Sequence, residues 1–204
     1  MHSITSIEGL LFRLYLSNCS QGLLRRLIHT RLDDFDTPEF YKAAFASSQM
    51  DYVKRVEAAR KKTEDTLAQL EKEGIRILPH FDKEYPQNLL QIKDYPPLLF
   101  VKGALLKMEC AAVIGSRNVA EIAEGRTTEI VRQIVAHNFG IVSGLALGID
   151  TLAHEAALKY GGYTAAVLPT AINVIYPPTN RKLAELMIGK GGAFGTAARR
   201  PTGF

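Results

Sequence analysis

The sequence has few of the residues that mark metal, redox or membrane proteins. Its two cysteines, Cys19 and Cys110, lie far apart with no CxxC pair, which argues against a metal or redox pair and favours a reducing cytoplasm. The five histidines are scattered, so no metal site is expected. No apolar run approaches the roughly 18 residues that span a bilayer. Glu8 and Arg13 interrupt the N-terminal apolar stretch, which argues against a secretion signal.

Familiar nucleotide-binding and catalytic motifs are also missing. There is no GxGxxG after the first predicted strand of the second half and no acidic residue at the end of the next strand, which disfavours NAD. The absence of GxxxxGK[ST] excludes a P-loop ATPase. His154-Glu155 is not followed by a second histidine, and no Ser–His–Asp set can be assigned from spacing. We therefore predict no catalytic residues, no cofactor and no enzymatic activity.

The composition is that of a globular protein whose two halves differ in charge and in glycine content. Hydrophobic residues make up 47% and charged residues 23%, with a net charge of +4 and too many apolar residues for intrinsic disorder. Residues 1–104 hold 15 basic and 14 acidic side chains, whereas residues 105–204 hold 10 and 7 and most of the glycines. This shift predicts two domains that meet near residue 105. The basic character permits nucleic acid as a partner without indicating it strongly.

Residues 1–74 are predicted to form a small helical domain. Leucines recur at helical spacing over residues 10–16 and 23–28, Thr37-Pro38 is typical of a helix start, and Gly74 ends a charged helix over 51–73. Residues 75–104 are predicted to be a connector with strands at 75–78 and 98–101 that packs on the edge of the next domain.

Residues 105–204 alternate strand and helix, which predicts a parallel sheet with right-handed crossovers. Strands are expected at 111–114, where the continuous apolar run indicates burial on both faces, and at 141–143 and 164–168. Asp150 and Asn180 are expected to cap the helices that follow the second and third strands, and Ala193-Phe194 begins a fourth strand.

The three turns that leave these strands should open on one edge of the sheet, where open parallel sheets bind ligands. Glycines there let the backbone approach a ligand, helix N-termini attract anions, and Arg117 adds a planar charged fork suited to phosphate. A surface ion pair is the alternative for Arg117. His154 is expected to be packed under the sheet and bonded to Asp150 or backbone, and Tyr176 is a candidate for base stacking or packing. The candidate residues for an electropositive rim are Gly115, Ser116, Arg117, Ser143, Gly144, Asn180, Arg181 and Lys182.

Several of these segments resemble the DprA/Smf family of DNA-processing proteins. They are Gly115-Ser116-Arg117, the run from Ser143 to His154 (SGLALGIDTLAH), Gly161-Gly162 and Tyr176-Pro177-x-x-Asn180. The resemblance covers roughly residues 75–192. It implies a Rossmann-like domain, preceded by a sterile-alpha-motif-like helical domain, that binds single-stranded DNA through Arg117 and the neighbouring residues.

The resemblance also implies a role and partners. Family members protect incoming single strands in natural transformation and load the RecA recombinase, and they form homodimers. Position 147 is leucine where many relatives carry lysine or arginine. Further strand–helix units of the family, with an F-P-x-R-N-R segment, are missing, so the chain is expected to be truncated or frame-shifted, with an incomplete sheet and an exposed apolar edge.

Two alternatives stay open. The segment Gly191-Gly192-x-x-Gly195-Thr196 faintly resembles the phosphate loop of nucleotide phosphoribohydrolases, although Ala197 to Arg200 follow where those enzymes carry a glutamate. A nucleotide-binding enzyme or sensor is therefore the second hypothesis. A partner-binding fragment without a ligand of its own is the third.

Overall fold

The computed structural model describes Leu24 and residues 63–196. The helices predicted at 10–16, at 23–28 and from Thr37 onwards therefore lie outside the described residues, apart from Leu24, which is helical and buried. Residues 63–72 are helical, and Gly74 follows with a φ of +67°, a left-handed conformation that suits glycine and ends the helix. This end of the charged helix is as predicted. The chain divides into two compact units.

The first unit includes residues 77–99, where the turns beside Tyr85-Pro86 and Tyr95-Pro96-Pro97 are organised by one buried ring. Tyr85 is 1% exposed, and its hydroxyl donates to the Pro96 carbonyl at 2.7 Å. Burial, with a smaller contribution from Tyr95, raises the pKa of Tyr85 to about 12. A short 3-10 helix, Gln87–Gln91, lies between these two turns.

Six strands form one mixed sheet. Its order is β1-β2-β6-β5-β4-β3, in which β3 to β6 are parallel and β2 is antiparallel to β6. The strands are β1 (Ile75–Pro79), β2 (Leu98–Gly103), β3 (Cys110–Ala112), β4 (Gly140–Ser143), β5 (Thr164–Val167) and β6 (Ala193–Thr196). The expected α/β, Rossmann-like class is confirmed, and so are the connector strands and the fourth strand of the second half.

Three helices connect the parallel strands: α1 (Glu121–Ala136), α2 (Ile149–Lys159) and α3 (Arg181–Gly189). Successive right-handed crossovers in one direction place all three on the same face, and α2 packs against both α1 and α3. Alanines on α2 allow close packing against β4. The core here consists of Val131, Ile141, Ala153, Ala156 and Ala157.

The first parallel strand differs from its prediction. It covers Cys110–Ala112 rather than 111–114, and its burial is partial because β3 lies at the end of the sheet. Ala112 is exposed, Ile114, two residues beyond β3, is 74% exposed, and Val167, the last residue of β5, is 59% exposed. The expectation of burial on both faces was therefore wrong. An apolar run alone does not tell whether a second layer exists.

Candidate nucleic-acid interface

Three loops leave the carboxyl ends of the adjacent parallel strands β3, β4 and β5. Loop 1 covers residues 113–120, loop 2 residues 144–148 and loop 3 residues 168–177, each ahead of a helix or of the 3-10 turn Pro178–Asn180. Because the strands are parallel and hydrogen-bonded in sequence, the loops open on one edge of the sheet, as predicted. We call this set of loops and the first turns that follow them the loop edge.

Loops 1 and 2 contact each other through their backbones. Gly148 has a φ of +80°, and a Cβ atom added to it would strike the carbonyl oxygen of Ser116 and lie 2.7 Å from that of Arg117. The next residue, Ile149, donates its N–H to the Ser116 carbonyl at 3.1 Å. Only glycine meets both demands at position 148, a left-handed conformation and a contact without a side chain.

Asp150 holds loop 2 in shape from the first turn of α2. Its carboxylate accepts hydrogen bonds from the backbone N–H groups of Gly144 at 3.1 Å and Ala146 at 3.3 Å. The helix begins at Ile149, with Gly148 at the capping position, so the prediction that Asp150 caps α2 was wrong. The side chain turns back to the loop before the helix. It uses amides of loop 2 that would otherwise be open to an anion.

Asn180 joins loop 2 to the start of α3. It is 6% exposed, and its amide donates to the Leu145 carbonyl at 2.9 Å and to the Thr151 hydroxyl at 2.8 Å. Asn180 occupies the capping position of α3 as predicted, but its side chain makes no capping hydrogen bond. Its donors are engaged within the protein, which makes it a positioning residue of the loop edge.

The two candidate serines also make internal hydrogen bonds. Ser143 is 3% exposed and donates to the Val113 carbonyl at 2.7 Å, which ties the end of β4 to loop 1. Ser116 is exposed and closes a local turn, because its hydroxyl donates to the Asn118 carbonyl at 2.7 Å and accepts from the Asn118 N–H at 3.2 Å. Both serines therefore shape the loop edge.

Arg117, Arg181 and Lys182 carry the positive charge of the loop edge. All three are exposed, and none forms an ion pair with any residue that the structure describes. The surface ion pair considered for Arg117 is thus absent from this part of the chain. The backbone N–H groups of Ser116 and Arg117 also have no acceptor among residues 63–196. Glu121 and Glu124, in the first turn of α1, are the acidic neighbours in sequence.

His154 is fully buried one turn after Asp150, but it does not bond to that residue. Its Nδ1 lies 2.7 Å from the Thr164 hydroxyl, which itself donates to the Ile141 carbonyl at 3.2 Å. Nδ1 therefore carries the proton, and the buried Nε2 has no partner among the described residues. Burial lowers the pKa of His154 to about 4, opposed by the nearby Asp150 carboxylate. The predicted bond to Asp150 or backbone was wrong, whereas the predicted burial is confirmed.

Two further side chains of the loop edge face solvent. Tyr176 in loop 3 is 60% exposed, which removes the packing alternative and leaves its ring accessible to a flat ligand. Leu147 in loop 2 is 46% exposed although it is apolar. Gly148 and Asp150 were not among the predicted site residues. A glycine immediately ahead of a helix, with an acidic residue two positions later, was the signal for both.

The segment Gly191-Gly192 lies at the opposite edge of the sheet from the loop edge. It precedes β6, and Gly192 bonds to the end of α3, its N–H donating to the Met187 carbonyl at 2.8 Å. A Cβ atom on Gly192 would lie 2.5 Å from the Thr164 carbonyl, so its role is close packing. Among residues 63–196 there is no group of three or more potential metal ligands and no helix long and apolar enough to cross a membrane.

Comparison with known proteins identifies the family. The family model for DNA recombination-mediator protein A matches residues 76–200, more than half of the chain. The chain belongs to this family. The resemblance to DprA/Smf proteins is thereby confirmed, and the loop edge lies within the matched region.

Curated relatives carry the names Smf and DprA. The chain is 37% identical over 136 residues to protein Smf of Escherichia coli, covering 66% of this chain and 36% of Smf. It is 46% identical over 106 residues to the DNA processing protein DprA of Streptococcus pneumoniae, covering 51% of this chain and 37% of DprA. The chain thus spans about a third of the length of these two relatives.

Two solved structures are similar to this one. The X-ray structure of DNA processing protein A from Streptococcus pneumoniae superposes with a TM-score of 0.65 at 28% identity, over 94% of this chain and 68% of that one. A structure of DNA processing protein A from Helicobacter pylori, which concerns its single-stranded DNA binding mode, gives a TM-score of 0.53 at 26% identity, over 64% of this chain and 58% of that one.

Proposed function

We propose that this chain is a DNA-processing protein that binds single-stranded DNA at its loop edge without reading its sequence. The observation that carries this proposal is the position of Arg117, exposed and unpaired within the described residues, beside two backbone N–H groups without acceptors. A guanidinium and adjacent amides are the donors that phosphate oxygens accept. The structural relative from Helicobacter pylori, which is described as binding single-stranded DNA, supports this reading.

The other predicted residues divide into contacts and supports. Arg181 and Lys182 extend the positive charge from the first turn of α3, and Gly115 and Ser116 hold the turn that presents Arg117. Gly144 and Asn180 keep loop 2 in place through hydrogen bonds within the protein, and Ser143 ties β4 to loop 1. Tyr176 offers a ring on which one base can stack, a contact that tolerates any base.

We further propose the biological setting implied by the family. The chain would protect incoming single strands and assist the loading of the RecA recombinase during natural transformation. It would do so in the cytoplasm, as a homodimer. Nothing in this role requires catalysis or a cofactor. A nucleotide phosphoribohydrolase activity is not favoured, because Gly191-Gly192 packs against the end of α3 and precedes its strand rather than following it.

The substitution Arg117→Ala tests the DNA proposal. It should weaken binding of oligo-dT and oligo-dA alike by about 1.5–3 kcal/mol, because a charge-assisted contact to phosphate carries no base information. The slope of log K against log salt should fall by about 0.7, the value for one phosphate on a single strand. Fluorescence anisotropy at four salt concentrations would measure both quantities.

Arg132→Ala is the matched control for this experiment. Arg132 is also an exposed arginine, but it lies in the second half of α1 and forms an ion pair with Glu129 at 2.7 Å. The substitution removes the same charge at a distance from the loop edge, so the variant should bind DNA about as tightly as the wild type. If Arg117→Ala and Arg132→Ala bind both oligonucleotides equally at every salt concentration, Arg117 is not a DNA contact.

A further inference from the structure

A groove of about 490 Å³ runs between α2 and α3 on the helical face of the sheet. It starts at the loop edge, because two of its lining residues, Thr179 and Asn180, belong to the 3-10 turn ahead of α3. It continues to the ends of both helices, where Lys159 and Lys190 line it.

The charge along this groove is mainly positive. Three lysines line it against one acidic residue, Glu155, and all four side chains are exposed. Lys182 lies in the first turn of α3 and Lys190 directly after its last residue, so they are about 12 Å apart along the helix axis. Lys159 ends α2, with its Nζ 5.5 Å from the centre of the Tyr160 ring. None of the three lysines forms an ion pair with a described residue.

The groove combines these charges with an apolar floor. Leu183 is 9% exposed and Leu186 is 50% exposed, so α3 presents aliphatic surface between its two lysines. A single strand offers phosphates at regular intervals together with bases whose faces are apolar, and positively charged grooves that track its backbone are the usual way of holding it. Because Lys182 belongs both to the loop edge and to the groove, the two positive regions form one continuous path.

We propose that the α2–α3 groove carries the single strand away from the loop edge and makes the binding site longer than the loops alone. This inference rests on the proposed function, since the strand must first be held at Arg117. It assigns Lys159 and Lys190 as phosphate contacts for nucleotides beyond those that the loop edge holds. It also predicts that these two lysines matter only for strands long enough to reach them.

The length of the oligonucleotide tests this inference. The double variant Lys159→Gln/Lys190→Gln should bind oligo-dT of about 20 nucleotides about tenfold more weakly than the wild type, yet bind oligo-dT of about 6 nucleotides equally well. The control Lys107→Gln/Arg132→Gln removes two charges from exposed side chains outside the groove. It should leave the affinity for both lengths close to that of the wild type.

A second variant keeps the test decisive if the lysine variant folds poorly. Leu186→Glu places a carboxylate on the half-exposed floor between the lysines, and it should cause the same loss for the long strand only. Equal affinity of both groove variants and the wild type for the long oligonucleotide would overturn the inference. So would an equal loss for the two lengths.

The two proposals fail in different ways. If the wild type binds neither oligonucleotide, or if Arg117→Ala has no effect on either, the DNA-binding function itself is wrong. If Arg117→Ala weakens both lengths while the groove variants behave like their control, only the extended path is wrong.

Discussion

Loops 1 and 2 follow adjacent parallel strands, yet their polar groups make different hydrogen bonds. In loop 2 the amides of Gly144 and Ala146 bond to Asp150, and the Leu145 carbonyl bonds to Asn180. In loop 1 the amides of Ser116 and Arg117 have no acceptor among the described residues, and the Arg117 side chain is exposed.

This difference distinguishes loop 2, which supports the loop edge, from loop 1, which offers a contact surface to a ligand. In loop 2, two amides and one carbonyl are bonded to the side chains of Asp150 and Asn180, so these bonds contribute to stability and to the position of loop 1. Loop 1 leaves the amides of Ser116 and Arg117 and the Arg117 side chain to solvent or to a ligand, so the Arg117 side chain contributes little to stability. Substitutions in and around loop 2 should therefore change the free energy of unfolding, whereas substitutions of exposed residues of the loop edge should change the affinity for DNA.

The largest effect is expected from Gly148→Ala. The new Cβ would meet the Ser116 carbonyl at a positive φ, so the free energy of unfolding should fall by about 3–5 kcal/mol. Gly161→Ala is the control, because Gly161 has a similar φ of +73° but no atom within 4 Å of its added Cβ. It should cost only about 1 kcal/mol. Urea unfolding of both variants measures the difference, and equal losses would show that the contact between the loops is unimportant.

The next largest effect is expected from acidification, which should lower the free energy of unfolding through His154. His154 has a pKa of about 4 in the folded protein against 6.5 for the unperturbed side chain, so the unfolded chain binds a proton first as the pH falls. Its contribution, about 3 kcal/mol, is complete above pH 6.5 and is lost progressively down to about pH 4.

His154→Gln keeps a donor for Thr164 but does not titrate in this range. The difference in unfolding free energy between the wild type and this variant should therefore shrink from pH 7.5 to pH 4.5. Urea unfolding at both pH values would measure it. A difference independent of pH would mean that His154 does not carry the effect.

The smallest effect is expected from a substitution of Leu147, where loop 2 is exposed to solvent. Leu147 is 46% exposed at the loop edge, so Leu147→Lys adds a charge without removing a core side chain. It should tighten DNA binding by about 0.5–1 kcal/mol, two- to fivefold in Kd, and steepen the salt dependence. Leu147→Gln, which is polar but uncharged, is the control. A gain of the same size for glutamine would contradict a contact to phosphate.

Much of the fold follows from the sequence because periodicity and turn residues act locally. The strand–helix alternation after residue 105, the meeting of three loops at one edge and the exposed cation Arg117 could all be predicted from patterns of a few residues. The carboxyl-edge rule for parallel sheets then brings distant loops together.

The incorrect predictions concern side chains whose partners the local sequence pattern does not specify. Asp150 and Asn180 have the residue types of helix caps, and the sequence around them does not show that their bonds go to loop 2 instead. Burial on both faces of β3 failed for a similar reason, since the covering layer depends on which way every crossover turns.

Two exposed apolar side chains near the carboxyl ends of the strands, Ile114 in loop 1 and Val167 at the end of β5, have a practical consequence. Salt screens phosphate contacts but strengthens the association of apolar surfaces, so raising the ionic strength should weaken the proposed DNA binding and should favour self-association. Titrations at micromolar protein would therefore mix two equilibria of opposite sign. Working at the lowest protein concentration that gives a signal keeps the salt slope interpretable.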